Sequence, residues 1–175
     1  MHQAVLDFWF KEIKPAKWWK KDPEFDQVIQ QRFAKTHEQA NKGELYGWRE
    51  THEGRLAEII VLDQFSRNIY RDSPNAFSSD TLALVLAQEA IAANTDQNLP
   101  KHMVNFLYMP FMHSESLEIH QLATTLFKTT DSYEFELKHK VIIERFGRYP
   151  HRNKILGRAS TTKEIEFLKQ PGSSF

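Results

Sequence analysis

The chain has 175 residues, 41% of them hydrophobic, and its 23 basic residues balance 23 acidic ones to give a formal net charge of zero. A neutral chain lacks the basic footprint of a dedicated nucleic-acid-binding protein, which argues against nucleic acid as a partner. There is no cysteine, which excludes disulfides, a thiol nucleophile and cysteine-ligated zinc. We expect one domain over residues 1–175.

The sequence shows no targeting or membrane signal. Its first ten residues lack the basic start and the uninterrupted apolar stretch of a signal peptide. The longest apolar stretch, around Leu56 to Leu62, is interrupted by Glu58 and is too short to span a bilayer. We therefore predict no membrane partner and a cytoplasmic location.

Apolar residues recur at helical spacing from the amino-terminal half onwards. Phe25 opens a pattern of i, i+3, i+4 and i+8, with Asp22-Pro23 as its cap and first turn. A second helix is predicted from about Leu56 to Tyr70. Ser73-Pro74 is interpreted as the N-cap of a third helix, which continues over Leu82–Ala93.

Four more helices are predicted in the second half of the chain. They cover residues 100–110, 115–127, 132–146 and 161–169. Pro110 is expected to break the first of these, Asp131 to cap the third, and Thr161 to form a capping box with Glu164 in the last. No segment alternates with a period of two and no hairpin dipeptide occurs, so the pattern predicts an all-α fold.

A first polar cluster lies on the second predicted helix. Asp63, Arg67 and Arg71 are four residues apart and share a face, with Gln64 and Asn68 beside them. The helix is apolar on most other sides, so this polar stripe must face a partner helix or a cavity. Either Asp63 and Arg67 satisfy each other between helices, or the stripe contacts a ligand.

A second cluster surrounds Pro110. His113 and Glu115 could form an acid–base pair, because a neighbouring carboxylate raises the pKa of an imidazole. Alternatively the segment is structural, with Ser114 as the N-cap of the next helix. His113 and His120 are two turns apart, too far to share an ion. We predict no metal and no cofactor.

A third cluster occupies the segment from Phe146 to Arg158, within an irregular stretch of the kind that is more often functional than accidental. Arginine offers a planar fork that suits carboxylate or phosphate. The candidate ligand-binding residues here are Arg148, His151, Arg152, Asn153 and Arg158. The alternative is a solvated basic loop that balances acidic helices.

Taken together, the motifs Val5–Phe10, Phe25–Phe33, Leu62–Asn68, Tyr108–Glu115 and Phe146–Asn153 resemble a widespread bacterial family known as domain of unknown function 924. The resemblance covers nearly the whole chain and includes all three polar clusters. It implies a tetratricopeptide-like fold and no assigned activity. The fold prediction is therefore all-α, either a tetratricopeptide-like helical-hairpin array or a compact bundle of about seven to nine helices.

Three functions remain open. The leading hypothesis is a helical binding module whose pocket, lined by the three clusters, recognises an anionic small molecule or an acidic peptide. In this hypothesis Arg148, Arg152 and Arg158 contact the anion. The second is an enzyme in which His113, with Glu115, or His151 acts as general base and arginines stabilise developing negative charge. The third is a scaffold in which the clusters only hold helices in register.

Overall fold

A computed structural model describes residues 1–174, which contain helices, turns and loops and no strand. The α-helical segments are α1 His2–Asp7, α2 Pro23–Asn41, α3 His52–Ile60, α4 Ser66–Ile69, α5 Asp80–Ala92, α6 Thr95–Asn98, α7 Lys101–Met112, α8 Leu117–Phe127, α9 Tyr133–Phe146 and α10 Thr162–Leu168. Since α3 and α4 run into each other through a π turn, they form one helix, and the described residues hold nine helices. The predicted all-α fold, as a compact helical bundle, is confirmed. The tetratricopeptide-like repeat and the single domain stay predictions.

The combined α3–α4 helix is the centre of the bundle. Leu56, Ile59, Ile60 and Leu62 are fully buried, because α1, α2, α5 and α7 all pack against this helix. The start of α3 also depends on a glycine. A Cβ on Gly54 would lie 2.0 Å from the carbonyl oxygen of Trp48. A larger residue would therefore push α3 away from the short 3-10 turn Tyr46–Glu50 that holds Trp48.

An aromatic cluster fills the amino-terminal side of the core. The rings of Trp9 and Phe65 meet edge-on with centroids 5.5 Å apart, and Trp9 contacts Phe106 in the same way at 5.6 Å. Such edge-on contacts are favourable because the positive ring edge meets the negative ring face. These contacts join the first turns of the chain to the central helix and to α7.

Two of the predicted helix starts are confirmed by their caps. The side chain of Asp22 accepts a hydrogen bond from the Phe25 amide. Thr161 and Glu164 form both hydrogen bonds of a capping box at α10. Each cap satisfies amides that the helix itself leaves without acceptors.

Other predicted boundaries are wrong. Ser73 caps only a short 3-10 turn, and α5 begins later, at Asp80. Pro110 lies inside α7 without ending it, because the His113 amide donates to the Met109 carbonyl and continues the ladder past the proline. Ser114 and Asp131 are not the N-caps that were predicted. The N-cap positions of α8 and α9 are Ser116 and Ser132, and neither forms a side-chain cap hydrogen bond.

Within residues 1–174, no helix combines the length and the apolar character needed to cross a membrane.

Candidate functional site

A cavity of about 310 Å³ opens between the start of α5, the end of α7 and the loop after α9. Its volume is at the lower end of the range for small-molecule sites, about 300–1,000 Å³. Four ionisable residues line it: Asp80, His113, Glu115 and Arg152. The other lining residues are Pro74, Phe77, Ser78, Thr81, Leu84, Pro110, Ser114 and Leu156. A few polar groups in a partly apolar wall are typical of a ligand site.

Next to this cavity, the π turn Val61–Phe65 carries the fully buried Asp63. A buried carboxylate needs partners, and three donors supply them. They are Nδ1 of His113 at 2.7 Å, Nε2 of Gln64 at 2.6 Å and Nη1 of Arg67 at 3.2 Å. Burial alone would raise the pKa of Asp63, but these neighbours outweigh burial and hold its pKa well below the usual range. Asp63 is therefore ionised at neutral pH.

His113 follows directly after α7 and forms a hydrogen bond with Asp63. An ionised carboxylate can only accept, so Nδ1 of His113 carries the proton. Burial, and then the positive charge of Arg67, lower the pKa of His113 below its ordinary value of 6.5. The imidazole is therefore neutral at pH 7, and Nε2 keeps its lone pair.

The second ring nitrogen of His113 is accessible. No group within residues 1–174 hydrogen-bonds to Nε2, whereas Nδ1 is bound to Asp63. The His113 side chain is 16% exposed and lines the cavity. Nε2 is thus the ring atom that a ligand in the cavity can reach.

Asp80 and Arg152 complete this side of the cavity, and Arg67 pairs with Asp80. Both Nη atoms of Arg67 donate to Asp80, at 2.9 and 3.0 Å. Arg152 reaches Asp80 only at 3.4 Å and donates through its other Nη to the His113 carbonyl at 3.0 Å. Its Nε is buried and has no hydrogen-bond partner. Asp80 is therefore paired mainly with Arg67, and Arg152 is less fully paired.

The three loop arginines do not converge on one cradle. Arg148 forms two hydrogen bonds with Glu164, and Arg158 forms two with Glu115. Of the three, the structure brings only Arg152 to the cavity. The predicted His113–Glu115 pair is also wrong, because Glu115 is occupied by Arg158 and His113 turns instead to Asp63.

The remaining candidate residues lie outside the cavity lining. Asn68 and Arg71 both donate to Asp26 of α2, on another side of the central helix. Asn153 is buried and donates to the Ser160 hydroxyl. The ring of His151 packs against that of Tyr149, and burial lowers the pKa of His151 to about 4.

A serine–histidine pair elsewhere in the core is not a nucleophilic site. Nε2 of His37 lies 2.7 Å from Oγ of Ser66, which resembles the spacing of a catalytic pair. However, the Ser66 hydroxyl donates to the Leu62 carbonyl, and Ser66 is fully buried. Its oxygen can therefore meet no substrate. No group of three metal-ligating side chains is assembled within residues 1–174.

The sequence matches, over residues 5–172, the model of a family described as bacterial protein of unknown function, DUF924. The chain belongs to this family. The chain is also similar to a solved structure of a protein of unknown function from Agrobacterium tumefaciens, with 38% identity, 96% of each chain covered and a TM-score of 0.92. No curated protein matches. The predicted family is thus confirmed. Both the family and the Agrobacterium tumefaciens protein are described as being of unknown function.

For this DUF924 protein, sequence reasoning missed Asp80, Phe77 and Tyr149 as neighbours of the site. Asp80 begins a helix, where an acidic residue is ordinarily explained by the helix dipole. The rings of Phe77 and Tyr149 each lie 4.6 Å from the Arg152 guanidinium carbon. Nothing in the local sequence marks Phe77. Tyr149 lies within the third cluster, but an aromatic residue is expected in any core and does not by itself indicate a site.

Proposed function

We propose that the protein is an enzyme that binds a small molecule in the cavity and uses His113 as its general base. The observation that carries this proposal is the contact of 2.7 Å between Nδ1 of His113 and buried Asp63, in a side chain that also lines the cavity. A carboxylate on Nδ1 fixes the tautomer and leaves Nε2 to accept a proton.

The charge distribution supports proton transfer at neutral pH. A general base must be unprotonated, and the lowered pKa of His113 meets that condition at pH 7. Arg152 hydrogen-bonds to the His113 carbonyl, so a guanidinium is held beside the base. A fixed positive charge at this place would stabilise negative charge that develops on the substrate.

The base would act on the substrate or on a water molecule directly. In the part of the chain that the structure describes, no hydroxyl group hydrogen-bonds to His113. A covalent intermediate on serine or threonine would require such a contact. The proposal is therefore a base-assisted hydrolysis or proton abstraction without a protein nucleophile.

A second candidate is an anion-binding module without chemistry, supported by the incomplete pairing of Arg152. The small volume of the cavity favours a small molecule over an acidic peptide as its occupant. A scaffold without ligand has less support, because its polar clusters should adjoin no cavity and the Asp63–His113 pair does.

The test is a screen of hydrolysis and proton-exchange reactions with the wild type, followed by His113→Gln on any activity found. We expect the substitution to reduce turnover by about 10²- to 10⁴-fold, the usual contribution of a general base. His102→Gln, at an exposed histidine of α7 outside the cavity, is the matched control and should have no effect. Equal activity of wild type and His113→Gln would overturn the proposal.

A further inference from the structure

We propose that the ligand of this cavity is a monocarboxylate with a small apolar body, whose carboxylate binds Arg152. This inference rests on the proposed function, because it names the class of molecule that would be placed beside His113. It adds a charged contact, between the ligand carboxylate and Arg152, and a small apolar body to the description of the ligand.

Arg152 is a buried cation with an incomplete set of acceptors. Its side chain is 8% exposed and the rings of Phe77 and Tyr149 flank its guanidinium. Its polar contacts within residues 1–174 are one hydrogen bond to a neutral carbonyl and one contact of 3.4 Å to Asp80. Asp80 already receives two shorter bonds from Arg67. A buried charge without a close counterion is costly, so an anionic group within reach of Arg152 would be favourable.

The pKa shifts of Arg67 and Arg152 also indicate that Arg67 is the better paired of the two. Although burial works against it, the charges of Asp63 and Asp80 raise the pKa of Arg67. Burial, and then the charge of Arg67, lower the pKa of Arg152. Asp80 thus neutralises Arg67 more than Arg152. Arg152 is therefore the cation for which an anionic ligand would supply the missing counterion.

The charge around the cavity favours a monoanion over a dianion as the group that binds Arg152. Three guanidinium groups balance three carboxylates there, and they belong to Arg67, Arg152, Arg158, Asp63, Asp80 and Glu115. A monoanion adds one negative charge next to the least paired arginine. A phosphate dianion adds two and lies close to Asp80 and Glu115, which also line the cavity.

The shape of the cavity indicates an apolar body for the same ligand. Phe77, Leu84, Pro110 and Leu156 contribute apolar surface to the same cavity. A planar carboxylate matches the fork of a guanidinium with two parallel hydrogen bonds. An aromatic or branched aliphatic carboxylate of about ten non-hydrogen atoms would use both surfaces in a site near the lower size limit.

The experiment compares benzoate with benzamide and inorganic phosphate by thermal unfolding at pH 7 and constant ionic strength. Benzamide has the shape of benzoate without its charge. We expect a dissociation constant of about 10 mM or tighter for benzoate. At a tenfold excess over that constant, Tm should rise by about 4 °C. Benzamide and phosphate should produce less than a third of this shift.

Four variants locate the binding. Arg152→Gln should abolish the benzoate shift, and Arg148→Gln, which changes a loop arginine outside the cavity, should preserve it. If Arg152→Gln does not fold, Leu84→Trp provides the test, because it fills the cavity and keeps the charge. Its control is Val85→Trp, which alters an exposed neighbour on the same helix. Equal shifts with benzoate and benzamide, a larger shift with phosphate, or no shift at all would overturn the inference.

One further variant separates this inference from the proposed function. His113→Gln should retain benzoate binding within about threefold, because the carboxylate contact belongs to Arg152. If benzoate binds through Arg152 and no reaction depends on His113, the ligand class stands and the proposed enzyme fails. If a His113-dependent reaction is found on a neutral substrate and benzoate does not bind, the enzyme stands and this inference fails.

Discussion

Two histidine–carboxylate pairs in this protein have the same contact and different surroundings. Nδ1 of His113 lies 2.7 Å from Asp63, and Nδ1 of His120 lies 2.7 Å from Glu136. His120 also uses Nε2, which lies 2.9 Å from the Ser114 carbonyl, and its side chain is fully buried. Nε2 of His113 has no such contact within residues 1–174, and the ring borders the cavity.

The electrostatic environments of the two carboxyl groups also differ. Burial raises the pKa of Glu136 and outweighs the effect of His120. His113 and then Arg67, together with the hydrogen bonds that Asp63 accepts, overcome burial and lower the pKa of Asp63. The short contact alone therefore does not identify a catalytic pair. Access to the second ring nitrogen and a neighbouring cation separate a site for chemistry from a buried helix contact.

The largest expected effect comes from Asp63→Asn. The amide would donate to Nδ1 of His113 and move the imidazole proton to Nε2, the nitrogen that faces the cavity. We expect turnover to fall by about 10²- to 10⁴-fold, because the base is then in the wrong tautomer. Nitrogen-15 NMR of the histidine side chains checks the tautomer without a substrate. The matched control is Glu136→Gln, which should leave both turnover and the His113 tautomer unchanged.

For the buried pair of His120 and Glu136, we expect substitution to change stability and not turnover. Glu136→Leu removes the side-chain partner of His120 Nδ1 and leaves that buried ring nitrogen without a hydrogen bond. We expect the free energy of unfolding to fall by about 3 kcal/mol, with turnover unaffected. Chemical denaturation measures this loss. Glu134→Leu, at an exposed position of the same helix, should change stability by less than about 0.5 kcal/mol. A larger loss in turnover than in stability for Glu136→Leu would contradict the division between the two pairs.

A third histidine, His139, extends the comparison to pH. Burial lowers its pKa from 6.5 to about 3, so the unfolded chain binds more protons than the folded one as pH falls below 6.5. Stability must then decrease with falling pH, by about 2 kcal/mol from this group between pH 6.5 and 4.5. Urea denaturation at several pH values should show a smaller decrease in His139→Gln than in the wild type. An unchanged pH dependence would assign the acid sensitivity to other groups.

Some local features of the fold were predictable, and long-range pairings were not. The caps at Asp22 and Thr161 were found because a cap is decided within four residues. Asp63 and His113 are 50 residues apart, and no local pattern specifies that contact. The sequence pattern therefore indicated Glu115, two residues along the chain, as the carboxylate partner of His113.

The polar stripe of the central helix shows a second limit. A spacing of four predicted one common face for Asp63, Arg67 and Arg71, on the assumption of regular α-helix. The helix ends at Ile69, so Arg71 lies in the turn beyond it and not on the helical face. Arg71 pairs with Asp26 of α2, while Arg67 stays beside Asp63 and reaches Asp80.

The smallest expected effect tests the corrected partner of His113. Glu115 accepts hydrogen bonds from Arg158 and from the Tyr149 amide, so Glu115→Gln weakens the attachment of the loop after α9 to the end of α7. We expect a loss of about 1 kcal/mol, since the pair is partly exposed. Turnover should change by less than about threefold, with an unchanged pH profile, because Asp63 and not Glu115 orients His113. An acid limb of that profile that moves with Glu115→Gln and stays in place with Asp63→Asn would reverse the assignment of the base's partner.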